Sequence, residues 1–380
     1  MTIEKIRTEI DAVDKGMLEL FLRRMELAGE IGAYKRENAL PVRDKERERQ
    51  LLYKLCKDAS PELLGYVKAL FSTLIEMSCG YQGAQQEYNS HVKELIENAL
   101  ANTPDAFPQR AIVACQGVEG AYSQLACDKL FSLPNIMYMR NFESIFKAVD
   151  SNLCDYGILP LENSSAGSVN EVYELMNHYR FYIIRSVKLP VAHALLAARG
   201  TKISDIKEIF SHPHAIAQCS QFLGQEMKDI KVTESENTAA AAKILAQTGR
   251  KDAAVIASGD CGDLYDLSTI SHNIQNNKDN YTRFICISKT PQIFPAASKT
   301  SFTLALNHKP GSLYSLLTKL AAHNINISKL ESRSISGQEF EFKFYIDIDT
   351  PIITNELKQV LAELEFETDM FSYLGTYQEI

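Results

Sequence analysis

Asn280-Tyr281-Thr282-Arg283-Phe284 sets a hydroxyl beside a guanidinium in one short segment. The run before it, Ser271 to Asp279, is polar and reads as a loop, whereas Phe284-Ile285-Cys286-Ile287 reads as a buried strand. A hydroxyl and a cation at such a junction suit an anionic substrate that must lose an oxygen. Thr and Arg at a strand start also serve purely structural ends, so the weight of the segment depends on other stretches. Gly117-Val118-Glu119-Gly120-Ala121-Tyr122-Ser123 lies between a strand pattern and a helix pattern. Glycine there lets backbone N–H groups approach an anion, and a tight turn without a ligand accounts for it equally. Pro160-Leu161-Glu162-Asn163-Ser164-Ser165-Ala166-Gly167 concentrates polar groups after a strand end. Ser211-His212-Pro213 with Gln218-Cys219 opens a helix, and Asn237-Thr238-Ala239-Ala240 caps another. His212 and His214 have a metal-ligand spacing, but no carboxylate or cysteine cluster accompanies them, so no metal is expected.

A second group of charges interrupts an apolar stripe near the N-terminus. The stripe runs Met17, Leu20, Arg24, Leu27, Ile31, Lys35. Arg24 and Lys35 stand eleven residues apart, within about 20° of each other on a helix. A later stripe, Phe71, Leu74, Ile75, Ser78, Gln82, ends in polar residues in the same way. Asp44, Arg47 and Glu48 share one face between them. A single Arg or Lys at a bundle edge snorkels. The set of Arg7, Arg24, Lys35 and Arg47 against Asp44 and Glu48 is different, because buried unpaired charge is costly. The excess predicts an anionic ligand carrying two carboxylates and a hydroxyl. No nucleophile–base pair stands nearby, so such a site acts by orientation and electrostatics.

Three regions must position these residues. Residues 1 to about 90 repeat Ile3, Ile6, Ile10, Val13, Met17, Leu20, Leu27 and Ile31 at helical spacing. They predict a long helix, a shorter one and a third long one, starting with Ser60 as N-cap and Pro61 at the first position. Three such helices make a thin core, and self-association is expected. Residues 91–108 read as a linker. From 110 strand runs (111–115, 156–160, 182–184, 253–257) alternate with helical segments (141–150, 168–178, 215–227, 237–248), which predicts an α/β domain with a largely parallel sheet. After a second linker at 290–295, strands at 301–306, 327–335, 340–348 and 371–377 and helices at 311–323 and 355–364 give a ferredoxin-like βαββαβ order.

Composition narrows the class. A net charge of −8 over 380 residues argues against nucleic acid as a partner. Eight scattered cysteines without a CxxC pair fit reduced thiols. The N-terminus lacks an apolar signal core, and no apolar run approaches the ~20 residues of a membrane helix, so a cytoplasmic protein is expected.

Residues 1 to about 88, above all Pro41-Val42-Arg43-Asp44 with Arg47-Glu48, resemble the all-helical chorismate mutase domain fused to bacterial prephenate dehydratases. The resemblance implies that Arg7, donated across an intertwined dimer, Arg24 and Arg47 hold carboxylates. It implies that Lys35 and Gln82 hydrogen-bond the ether oxygen of chorismate, that Asp44 and Glu48 meet the ring hydroxyl region, and that Ser78 supports them. Residues 110 to about 288 resemble prephenate dehydratase, with five motifs in family order. That family has two α/β lobes, similar to periplasmic binding proteins, with the active site in the cleft. Thr282 is implied as the key hydroxyl, and Glu162, Asn163, Ser164, Gln218 and Arg283 as supporting residues. Val118 departs from the Pro often found there. The last region resembles the ACT regulatory domain, with Gly311-Ser312-Leu313 and Glu331-Ser332-Arg333 implied to cradle phenylalanine between paired domains. Ser334 stands where the family usually has Pro. The expected domains are 1–90, 109–288 and 299–378. The expected ligands are chorismate, prephenate and phenylalanine. No cofactor, nucleic acid or membrane is expected, and the chain is expected to form a homodimer or higher homo-oligomer. Two other readings stay open: a non-catalytic amino-acid sensor, and an arogenate dehydratase.

Overall fold

Apolar spacing and capping side chains set the helices at the start of the chain. The computed structural model describes residues 2–38, 40–84, 90–306, 308, 311–334, 342–368 and 370–380. Helix α1 (Ile3–Glu37) buries only Ala28 and Gly32. Its whole stripe from Ile3 to Ile31 is exposed within the single chain. Helix α2 (Lys45–Lys57) starts on Asp44, whose carboxylate accepts the N–H groups of Glu46 and Arg47. Helix α3 (Leu64–Ala84) begins later than Ser60 suggests. The Ser60 carbonyl accepts the Leu63 N–H at 3.0 Å, so residues 61–63 close a turn first. Residues 91–102 are not a linker but α4 (His91–Asn102). Its buried Val92, Ile96 and Ala99 recur at helical spacing, and the Ser90 hydroxyl caps it by accepting the Lys93 N–H at 3.2 Å.

The chain continues through β1 (Arg110–Gln116), α5 (Tyr122–Leu130), β2 (Leu133–Met139), α6 (Phe142–Asp150), β3 (Tyr156–Asn163), β4 (Gly167–Ser168), α7 (Asn170–Tyr179) and β5 (Tyr182–Pro190). Next come β6 (Ala194–Ala198), β7 (Glu208–Ser211), α8 (Pro213–Gln218), α9 (Ser220–Glu226), β8 (Lys231–Glu234), α10 (Thr238–Thr248), β9 (Ala253–Ala257), α11 (Asp260–Leu264) and β10 (Leu267–Ser271). It ends with β11 (Tyr281–Ser288), β12 (Lys299–Leu306), α12 (Ser312–Ala322), β13 (Ile327–Ser334), β14 (Phe342–Asp349), α13 (Asn355–Glu367) and β15 (Ser372–Glu379). The βαββαβ order at the end is the one read from the sequence. Residues 335 and 340, where two of its strands were expected to end and begin, lie outside the described residues.

Two units result. One comprises Met1–Glu97 and Phe302–Ser372, the other Asn98–Ser301 and Tyr373–Ile380. In the first, α3 packs against α1 and α2 and also against α12, and the strands run in the order β13-β14-β12. In the second, two sheets carry separate cores. The first sheet has the order β15-β5-β11-β3-β1-β2 and is packed around Val113, Ile158, Val187 and Phe284. The second has the order β10-β6-β9-β7-β8, with apolar clusters around Leu196 and Val255 on one side and Leu195 and Ile256 on the other. The chain crosses from one sheet to the other after β5 and returns after β10. The returning strand, β11, therefore runs antiparallel to both β3 and β5, and the sheet is mixed rather than largely parallel. On the side of β5 away from β11, β15 lies parallel to β5, and β12 flanks β15 in turn. Gly375 there has φ +138°, and a Cβ would stand 2.1 Å from the Ile183 carbonyl oxygen. Among the described residues no helix is long and apolar enough to cross a membrane.

Candidate functional site

Strand alternation sends Thr282 and Arg283 to opposite faces of β11. Thr282 lies opposite Asn163 on β3. Asn163 Nδ2 donates to Thr282 Oγ1 at 2.9 Å, to Asn280 Oδ1 at 2.9 Å and to the Tyr281 carbonyl at 3.2 Å. Asn163 Oδ1 accepts the N–H groups of Ser165 and Ala166 at 2.9 and 2.8 Å. These backbone donors fix which end of the amide faces Thr282. Thr282 Oγ1 is therefore an acceptor in this contact, and its own proton is left for another partner. The Ser164 hydroxyl fastens the same loop, accepting the Tyr281 N–H at 2.9 Å and donating to the Asp279 carbonyl at 3.2 Å.

Beside this group a cavity of about 390 Å³ is lined by Ser165, Ala166, His214, Ala217, Gln218, Gln275, Asn276, Asn277 and Asn280. Its lining comes from β3–β4, from α8 and from the segment that returns between the sheets. Gln218 Oε1 lies 2.9 Å from His193 Nε2, and the His193 N–H donates to Gln275 Oε1 at 3.0 Å. Burial pushes the His193 imidazole pKa down, against the opposing Gln218 hydrogen bond, which favours a neutral ring that holds Gln218 in place. His193, Gln275 and Asn280 carry polar function the sequence reading missed. The available signal was one histidine in the apolar run Val191-Ala192-His193-Ala194.

Other expected residues lie elsewhere. Arg283 is 3% exposed and meets Glu162 Oε1 at 3.3 Å, Glu379 Oε2 at 2.8 Å and the Tyr377 hydroxyl. The structure does not bring Arg283 or Glu162 to the Thr282 group. The Gly120 N–H donates to Gln124 Oε1 at 2.6 Å, and a Cβ at Gly120 would meet Leu264 at 2.9 Å. That glycine serves packing. His212 accepts the His214 N–H and caps α8, while the two rings stack at 5.3 Å. Asn237 caps α10 through the Ala240 N–H at 2.6 Å.

In the helical segment the charged stripe converges. Arg24 Nη1 donates to the Leu74 carbonyl at 2.7 Å and to the Ser78 hydroxyl. Lys35 Nζ donates to the Val42 carbonyl and stands 3.4 Å from Gln82 Oε1. Gly32 permits this approach, since a Cβ would lie 3.1 Å from Gln82 Cγ. Glu48 reaches in from α2 to 3.9 Å from Cys79 Sγ. Burial raises its carboxyl pKa, with Arg43 pulling the other way. So Arg24, Lys35, Glu48, Ser78 and Gln82 share one site, Asp44 caps α2 at its edge, and Arg47 is exposed. Arg7 is exposed seventeen residues before Arg24, about 25 Å along α1, and does not join the group within one chain. In the terminal region Gly311, at φ +93°, opens α12 with Ser312 and Leu313. Glu331, Ser332 and Arg333 lie on β13, where Arg333 Nη2 pairs with Glu331 Oε1 at 2.7 Å.

Comparison with known proteins separates the two sites in the same way. Residues 6–83 match the family chorismate mutase type II, and residues 113–292 match the family prephenate dehydratase. Prephenate dehydratase of Arthrobacter aurescens, solved in complex with L-Phe, has a TM-score of 0.63 at 26% identity and covers 70% of this chain and 90% of its own. That of Staphylococcus aureus has a TM-score of 0.61 at 28% identity, covering 70% and 99%. A bifunctional chorismate mutase/prephenate dehydratase of Enterobacter agglomerans is 34% identical, with 98% of this chain and 95% of that protein aligned. Arg24 through Gln82 fall inside the first matched segment, and Asn163 through Thr282 inside the second. One relative joins both segments over nearly its whole length, and on that ground this chain belongs to the bifunctional chorismate mutase/prephenate dehydratase family.

Proposed function

We propose that the helical segment converts chorismate to prephenate, that the two-lobed segment converts prephenate to phenylpyruvate, and that phenylalanine inhibits through an ACT-type region at 299–378. The observation that carries the dehydratase assignment is the Thr282 hydroxyl, held as an acceptor by Asn163 with its proton unspent. In the reaction the ring carboxylate leaves as carbon dioxide. The electrons of the broken C–C bond enter the ring and expel the hydroxyl, which takes up one proton and departs as water. Aromatisation drives the step, so the protein needs only a donor at the leaving oxygen and a cleft that fixes the anion.

In the mutase step an ether C–O bond breaks as a C–C bond forms, and charge gathers on the ether oxygen. Lys35 supplies a cation there. Gln82 turns its Oε1 toward Lys35, which leaves Nε2 to donate to the substrate. A second copy of this chain covers the open stripe of α1 and brings its Arg7 to the Arg24 site. The test is conversion of chorismate by the purified chain. Phenylpyruvate is expected, and failure to form either prephenate or phenylpyruvate overturns the reading.

The L-Phe complex of the Arthrobacter relative supports phenylalanine as a ligand, and we assign its binding to Gly311–Leu313 and Glu331–Arg333. Ser334 follows this segment and pairs with Phe342 at the end of β13. Restoring Pro removes an N–H and fixes φ at about −65°. Ser334→Pro is expected to tighten phenylalanine inhibition severalfold, read as the midpoint of a dehydratase titration. An unchanged midpoint removes position 334 from the effector site.

A further inference from the structure

The chain passes between the two units inside β12, at Ser301–Phe302, and inside β15, at Ser372–Tyr373. The dehydratase-side ends of both strands meet at one ion cluster, in which Arg283 is buried, Lys299 and Glu379 are partly buried and Lys188 is exposed. Lys299 Nζ of β12 lies 2.9 Å from Glu379 Oε1 of β15, and Lys188 Nζ of β5 lies 2.9 Å from the same oxygen. The other oxygen, Oε2, lies 2.8 Å from Arg283 Nε. A second line runs alongside, since the Ser301 hydroxyl meets the Tyr377 hydroxyl at 2.6 Å and Tyr377 accepts from Arg283 Nη2. Arg283 then reaches Glu162 at 3.3 Å. Arg283 is the residue after Thr282, and Glu162 the residue before Asn163, the pair whose side chains bond on the other face. The register of β11 against β3 shifts directly after Arg283.

From this arrangement we propose that Arg283 is a positioning residue that carries the state of the phenylalanine-sensing region from Lys299 and Glu379 to the Thr282–Asn163 pair. The proposal rests on the reading of residues 299–378 as that region. Glu379 is the divided element, with one oxygen on two lysines and the other on Arg283. Burial works to raise its carboxyl pKa, but Arg283, Lys188 and Lys299 outweigh this and hold it at about 2, so it stays ionised. Phenylalanine need only change how Glu379 is shared. Arg283 cannot leave its carboxylates cheaply, so it moves with them and shifts the residues that flank it. An effector alters activity only by favouring one of two such arrangements.

The experiment compares the full chain with Glu379→Gln, which keeps the shape and removes the charge. L-phenylalanine binding is followed by calorimetry and inhibition by dehydratase turnover. Arg283 keeps Glu162 and Tyr377 in the variant, so turnover without phenylalanine is expected to persist. Its calorimetric Kd should match that of the unsubstituted chain, while the turnover that remains at saturating phenylalanine rises by about tenfold or more. Matched Kd values with superposed inhibition curves overturn the proposal alone. No binding heat on the unsubstituted chain overturns the sensing reading and the proposal with it. Lys299→Gln, at the end of the other strand, decides the matter if Glu379→Gln does not fold. Its residual turnover at saturating phenylalanine is expected to rise in the same assay, and a curve identical to that of the unsubstituted chain overturns the proposal.

Discussion

Thr282→Ala is expected to lower dehydratase kcat by about 10²- to 10⁴-fold, the range of a positioned proton donor. The KM for prephenate and the mutase activity are expected to stay near those of the unsubstituted chain. The geometry separates a chemical loss from a folding loss. Removing the hydroxyl leaves Asn163 Nδ2 with the Asn280 side chain and the Tyr281 carbonyl, and Asn163 Oδ1 with two backbone N–H groups. The loop keeps its fastenings, and only the hydroxyl itself is lost. Thr282→Ser restores a hydroxyl at the same atom and should recover much of the rate. Asn163→Ala is a different experiment, because it strands the N–H groups of Ser165 and Ala166 and should loosen the loop as well. Dehydratase turnover in Thr282→Ala within a few fold of the unsubstituted chain would refute the role of the hydroxyl.

The position of Thr282 was legible because a polar loop followed by a buried strand is a local pattern. The fate of Arg283 was not. Sequence neighbours in a strand face opposite ways, and Glu379, which claims the guanidinium, lies ninety-six residues further on, on a strand that only the assembled fold sets beside β5. Glu162 and Asn163 divide for the same reason, one to the ion cluster and one to the hydroxyl. His193 escaped notice because its use depends on Gln218 and Gln275, which arrive from two other segments. Helix α4 is a different kind of miss. Val92, Ile96 and Ala99 declare a helix, but Pro104 and Pro108 downstream drew the whole stretch into a linker. The stripe of α1 was read correctly as apolar, but periodicity names only an apolar face and not what covers it. Among the described residues the stripe stays largely exposed, which agrees with the long distance from Arg7 to Arg24.

Lys35→Ala should produce the converse loss. Mutase kcat/KM is expected to fall by about 10²- to 10³-fold, the cost of removing one preorganised donor at a developing charge. Dehydratase activity on supplied prephenate should not change. Lys35 acts twice. It brings a positive charge to the ether oxygen, and its contact with Gln82 Oε1 keeps the Gln82 Nε2 aimed at the same atom. Without Lys35 the Gln82 amide is free to rotate, so Gln82→Ala added to Lys35→Ala should cost less than the two single losses combined. Lys35 also helps to lower the pKa of the partly buried Glu48, whose carboxyl burial already raises. In the variant Glu48 therefore becomes protonated at a higher pH than in the unsubstituted chain. Any part of the residual mutase rate that needs ionised Glu48 will be lost at correspondingly higher pH as the solution is acidified. A Lys35→Ala chain with unaltered mutase kcat/KM, or a double variant whose loss is fully additive, would separate Lys35 from the ether oxygen and from Gln82. The electrostatic account of this site would then have to be built on Arg24 and on the Arg7 that a second copy brings.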